Sequence, residues 1–231
     1  MLLVHTSGRD VVKALGRATA VLVSGLMLVS CTSGEPEAHA KNEKPPCGVG
    51  PSSEEGVLLR DVIAADAFED FVYNSTSELV ATLRSALPEV SPEHRIPVKT
   101  RCVLSGADGV GGSVTFRFGW VSRAAEKLDF VLANGIPFEM DGGVFGQAND
   151  TDTNLYVGCD MPGALGGPSK SAWFHAKAEH STSSTPAAVD QAARDRQTAL
   201  TYLMARRITE ALGCENKPLE QAPVVKPLPT P

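Results

Sequence analysis

Three observations predict an α+β fold: a capped helix early in the domain, alternating strands in its middle, and a long helix at its end. The expected architecture is a curved antiparallel β-sheet of four to six strands. N-terminal helices and the long C-terminal helix should pack on one face of it, burying one apolar side of each element.

The elements follow in order. In residues 54–73, Val57, Leu58, Val62, Ile63, Phe68, Phe71 and Val72 recur at mixed three- and four-residue steps, which predicts a helix with a break near Ala64–Asp66. Ser75-Thr76-Ser77-Glu78 has the S-x-x-E spacing of a capping box, in which each end of the motif satisfies a backbone donor of the other. Leu79, Val80, Leu83, Ala86 and Leu87 form the stripe that follows, and Pro88 stops it.

Residues 96–104 and 113–121 flank the glycine-rich link SGADGVGG and predict an antiparallel hairpin. In the second run Val114, Phe116, Phe118 and Trp120 share one face, and Ser113, Thr115 and Arg117 the other. Residues 123–133 fit either a short helix or an excursion. Asp141-Gly142 marks a turn within 136–147, since this pair tolerates positive φ. NLYVGC (154–159) and SAWFHAKAE (171–179) are two further strands. Thr185-Pro186 is expected to open the last helix, Leu200, Leu203, Met204, Ile208 and Ala211 to form its buried face, and Gly213 to cap it.

The chain's beginning carries an address. Arg9, Lys13 and Arg17 precede a 13-residue apolar stretch, 18–30, which suits a signal peptide and falls short of the roughly 20 residues of a spanning helix. Leu28-Val29-Ser30-Cys31 resembles a bacterial lipobox. The resemblance implies cleavage after Ser30 and a diacylglyceryl group on the Cys31 thiol. Two acyl chains, at about 0.8 kcal/mol per buried CH₂, give stable anchoring. The predicted division is a lipoprotein signal peptide (1–30), a lipid-anchored flexible linker (31–46), one extracytoplasmic domain (47–215) and a proline-rich disordered tail (216–231). Without residues 1–30 the chain keeps 18 basic and 26 acidic side chains, a net charge near −8. That balance argues against nucleic acid as a partner.

Export to an oxidising compartment and an even number of remaining cysteines predict two disulfides among Cys47, Cys102, Cys159 and Cys214. Three connectivities are possible. The expected one is Cys47–Cys214, closing the ends of the domain, with Cys102–Cys159 joining two strands. No CxxC spacing supports a Cys₄ metal site, and no metal or cofactor is expected.

Several apparent motifs fail on inspection. GALGGPSKS (163–171) has Ser169 where a P-loop needs glycine, and Pro168 removes a backbone donor. HAKAEH (175–180) matches neither HExxH nor HxxEH, and on a strand His175 and His180 point to opposite faces. DTDTN (150–154) lacks the glycine and the terminal glutamate of a calcium loop. No GxSxG occurs, and no catalytic residue is singled out.

The lipobox, the acidic linker and the strings CG (47–48), NSTSELVATL (74–83), FRFGWV (116–121), LYVGCDMPGAL (155–165) and LGCEN (212–216) together resemble uncharacterised membrane lipoproteins of actinobacteria. The resemblance implies a lipoprotein on the outer face of the cytoplasmic membrane and brings no activity with it.

The expected function is that of a non-catalytic binding domain for an envelope component, a small apolar ligand or a protein partner. The alternatives are a cell-envelope hydrolase and a structural or assembly factor acting by protein contact. Asp160, Met161, Pro162 and Gly163 open a Gly- and Pro-rich loop beside a disulfide cysteine and form the candidate recognition loop. The aromatics of 116–120 and 173–174 are candidates for core or for a ligand pocket between sheet and helix.

Overall fold

The structure, a computed structural model, describes residues 46–72, 75–92, 100–125, 132–181 and 190–227. The predicted signal peptide, Cys31 and the predicted linker as far as residue 45 lie outside the described residues.

The fold is α+β, with seven antiparallel strands and four helices among the described residues. In chain order they are α1 (Glu54–Ile63), β1 (Phe68–Val72), α2 (Thr76–Ala86), β2 (Thr100–Gly106), β3 (Ser113–Ser122), β4 (Ile136–Met140), β5 (Val144–Ala148), β6 (Asp152–Val157), the short α3 (Gly166–Lys170), β7 (Ala172–Ser181) and α4 (Gln191–Leu212). The strands lie in the order β1-β2-β3-β7-β6-β5-β4. A two-residue bridge, Lys226–Pro227, pairs with the outer edge of β4. The sheet thus joins two meanders, β1-β2-β3 and β4-β5-β6-β7, along the β3–β7 seam.

The strand count exceeds the expected four to six because of β1. The helix predicted over 54–73 ends at Ile63. Ala64 turns left-handed there (φ 54°), and its N–H bonds Arg60 O. The chain then reverses and pairs Phe68–Val72 with β2. An edge strand takes its pairing from a partner distant in sequence, so local periodicity does not reveal it.

Other local signals match the structure. The capping box is complete: Ser75 Oγ accepts from Glu78 N at 3.3 Å, and Glu78 Oε2 accepts from Ser75 N at 2.8 Å. Ser75→Ala should therefore cost about 1 kcal/mol, measured by urea denaturation. Ser75→Asp should recover most of it. Gly213 caps α4 with φ 77°. The opening of α4 differs from expectation. Its N-cap is Asp190, whose carboxylate accepts from Ala193 N, while Thr185-Pro186 falls outside the described residues. Ala211 is exposed, and Leu212 takes the buried place expected for it.

One face of the sheet carries the core. Val114, Phe116, Phe118 and Trp120 of β3 meet Leu155 and Val157 of β6, Phe174, Ala176 and Ala178 of β7, and Leu200 and Leu203 of α4. Helix α4 packs on β3, β6 and β7, flanked by α1 and α2. Beyond residue 215, where the sequence ended the domain, Leu219 is buried and Gln221 O accepts from the Tyr202 hydroxyl.

The two disulfides are Cys47–Cys102 and Cys159–Cys214, which corrects the expected pairing. Cys102 lies on β2 and Cys159 just beyond β6, with β3 and β7 between them. Three strand spacings of about 4.8 Å exceed the reach of a bridge. The observed Cα–Cα distances are 6.0 and 5.1 Å.

Candidate functional site

The predicted recognition loop sits where β6 and α4 both end. Strand β6 delivers Cys159 to the corner, and the Gly213 turn delivers Cys214 to meet it. Hydrogen bonds then fix the loop base. Asp160 O accepts from Glu215 N at 2.8 Å, and Asn216 Oδ1 accepts from Asp160 N at 3.0 Å. The Asn216 amide also donates to Gly158 O at 2.8 Å. Met161 is buried, and its N–H donates to Ser169 Oγ of α3 at 3.1 Å.

The tip is different. Pro162, Gly163 and Ala164 are exposed, and Gly163 has φ 63°, which a side chain would strain. Of the four predicted residues, then, Asp160 and Met161 build the base while Pro162 and Gly163 are presented to solvent.

Beside this corner lies a cleft of about 430 Å³, lined by Arg206, Thr209, Glu210, Glu215, Lys217 and Leu219 among others. None of the four predicted loop residues lines it. A second cleft, of about 470 Å³, runs along the same part of α4 toward Cys47, past Glu55, Thr76 and Arg207. Its charges are largely paired. Arg206 bonds Glu54 at 2.9 Å, and Arg207 binds Gly48 O and lies 3.5 Å from Glu55. Burial raises the Glu55 pKa, but its own N–H, the Ser53 hydroxyl and Arg207 outweigh burial and leave it lowered. Nothing in the sequence marked these clefts: the second brings Glu55 of α1 and Thr76 of α2 against α4, and the first forms where the chain turns back past the end of α4.

The aromatic residues divide between the faces. Phe116, Phe118, Trp120 and Phe174 fill the space between sheet and helices. Trp173 lies on the opposite face, in T-shaped contact with Phe145 and with the Arg123 guanidinium 3.9 Å from its ring centroid. Tyr156 stacks on His175 there, and His175 Nε2 lies 3.1 Å from Asn154 Oδ1. Burial, and to a lesser degree Lys177, push the His175 pKa down to about 3.

An ionic ladder crosses the same face. Lys177 bonds Glu179 at 2.8 Å and Asp152 at 3.2 Å, and Arg117 pairs with Glu179. Burial lowers the Lys177 pKa, but Glu179 and Asp152 outweigh it and leave it raised. Burial raises the Glu179 pKa, but Lys177 and Arg117 outweigh it and leave it lowered. The ladder's charges satisfy one another.

Among the described residues no group of three or more His, Cys, Asp or Glu side chains is placed to hold a metal ion. In the region of the rejected calcium loop, Asn149 Oδ1 accepts from the Thr151 and Asp152 N–H groups, an ordinary Asx turn. No described helix is long and apolar enough to cross a membrane.

Fold and corner together define an α+β domain whose exposed loop tip stands on a disulfide-held base. Comparison of the chain with models of protein families, with curated proteins and with solved structures finds no match.

Proposed function

We propose that the chain is an exported, lipid-anchored, non-catalytic binding domain on the outer face of the cytoplasmic membrane. It recognises an envelope component or a protein partner at the corner where β6 and α4 end. One observation carries this reading: the exposed tip Pro162–Ala164 stands on a base fixed by Cys159–Cys214 and by hydrogen bonds through Asp160, Met161 and Asn216. Such a tip loses little conformational entropy on binding, so few contacts suffice for affinity. The filled space between sheet and helices favours capture at the surface over an enclosed apolar ligand.

The anchor rests on the apolar stretch and the lipobox-like Leu28-Val29-Ser30-Cys31. A mass increment of two acyl chains and a glycerol is expected on Cys31 of membrane-extracted protein. Cys31→Ala should move the protein from the membrane to the soluble fraction. An unmodified Cys31 in wild type ends the lipoprotein reading.

Recognition is tested by a photo-crosslinking residue at Ala164, with Ser181, an exposed residue at the far end of β7, as the control position. A discrete adduct in the envelope from position 164 alone supports the reading. Equal labelling from both positions overturns it.

A further inference from the structure

A buried polar group lies beneath the opposite end of α4, away from the disulfide corner. His180 ends the core-facing row of β7 and is 8% exposed. Neither ring nitrogen has a hydrogen-bond partner among the described residues. Its backbone N–H holds the β5–β6 turn at Thr151 O. One residue earlier in that turn, Asp150 O accepts from the Gln197 side chain of α4 at 3.5 Å. Gln197 is itself buried, with its Oε1 unpartnered, and so is Thr153 Oγ1 on the same sheet face of β6. His180, Thr153 and Gln197 thus bring three buried polar side chains from three elements to one junction.

Among the described residues no ion-pair partner faces the ring; Asp152, on the other face of β6, favours a cation there but only partly offsets burial. Strand β3 presents Val114 opposite His180. On β6 the nearby charge is Asp152, which shares its sheet face with Lys177 and is bonded to it. At this end of α4, Arg194 is bonded to Asp150, Asp190 caps Ala193 N, Asp195 accepts from Gln191, and Arg196 is exposed.

The two ends of α4 are held by unlike means. The C-terminal end is fixed covalently by Cys159–Cys214 and by Arg84, which donates to Leu212 O. The N-terminal end is held to the turn by Arg194–Asp150, by Gln197 and by packing.

From this asymmetry we infer that His180 is an acid-sensitive latch: protonating its ring puts a charge without an ion-pair partner under Gln197 and releases the N-terminal half of α4, while the stapled half stays docked. Release uncovers the core side of β6 and β7 and the face of Leu200, giving a surface available only in acid.

The sign follows from linkage. Burial pushes the His180 pKa down from 6.5 to about 4, with Asp152 offsetting part of the fall. In the released form the ring is solvated and regains its ordinary value. Between these limits release takes up a proton, so it becomes up to about tenfold more favourable per unit fall in pH, reaching about 300-fold in full only from well above 6.5 to well below 4.

Hydrogen exchange on the mature chain tests this, read as protection factors that already remove the intrinsic pH dependence. Residues 193–201 should lose about 80-fold protection from near pH 6.5 to near pH 4, while residues 203–212 keep theirs. His180→Gln, neutral at every pH, should abolish the loss. Unchanged protection at 193–201, a uniform loss along the whole of α4, or the same loss in His180→Gln overturns the latch. Should that variant not fold, the His180 ring is followed by NMR in wild type. Titration that tracks the exchange supports the latch, and titration near 6.5 with α4 unchanged overturns it.

Discussion

Replacing Cys159 and Cys214 together by alanine should lower the unfolding free energy by about 4 kcal/mol. The bridge closes a loop of sequence separation 55, and its main contribution is to restrict the unfolded chain. For a domain of this size the loss corresponds to roughly a 10 °C fall in midpoint temperature. The Cys47–Cys102 bridge has the same separation, so chain entropy alone predicts the same loss for its removal. The two are not equal in the folded state. Cys159 is fully buried and Cys214 nearly so, whereas Cys47 is half-buried. Alanine at 159 and 214 therefore also empties packed volume at the end of β6, and its cost should be the larger of the two. Equilibrium urea denaturation of both double variants checks the order. A non-reducing peptide map should recover fragments joining 47 to 102 and 159 to 214. A fragment joining 47 to 214 contradicts the structure.

The pairing shows where sequence reasoning reaches its limit. Expected export and an even count were enough to expect two bridges. Their connectivity depends on strand order, and nothing local says that β7 inserts between β3 and β6. Features set within a few residues were legible: the Ser75–Glu78 capping box, the alternation from Val114 to Trp120 and the Gly213 cap. So was the placement of His175 and His180 on opposite faces, since a separation of five on a strand dictates it. Their burial was not legible. It depends for His180 on α4 returning over the sheet, which a polar-looking HAKAEH does not announce. The candidate site divides in the same way. The loop at Asp160–Gly163 could be marked from its glycines, prolines and neighbouring cysteine. The cleft toward Cys47 could not, because Glu55, Thr76 and Arg207 meet there only through tertiary packing.

The second large effect is expected at Trp120. This side chain is 2% exposed near the C-terminal end of β3 and meets Phe174 of β7 edge-on, with ring centroids 5.5 Å apart. Its indole N–H donates to Leu83 O of α2 at 2.8 Å, so one residue ties sheet to helix both by area and by a directed bond. Trp120→Ala should cost about 4 kcal/mol, through lost apolar burial and the cavity left behind. Trp120→Phe separates the contributions. It keeps most of the apolar contact and removes the donor. Leu83 O still accepts from Leu87 N after that change, so it is not orphaned, and the cost should fall near 1 kcal/mol. A cost for Trp120→Phe approaching that of Trp120→Ala instead assigns the stability to the indole's shape. Circular dichroism in urea is the suitable probe for both. Trp173, the other tryptophan, then reports separately by fluorescence on the opposite face of the sheet. In a two-state domain both signals should shift to the same lower midpoint. Were Trp173 to keep the wild-type midpoint while the circular dichroism midpoint falls, the two faces of the sheet unfold separately, and the single core described for this domain does not hold.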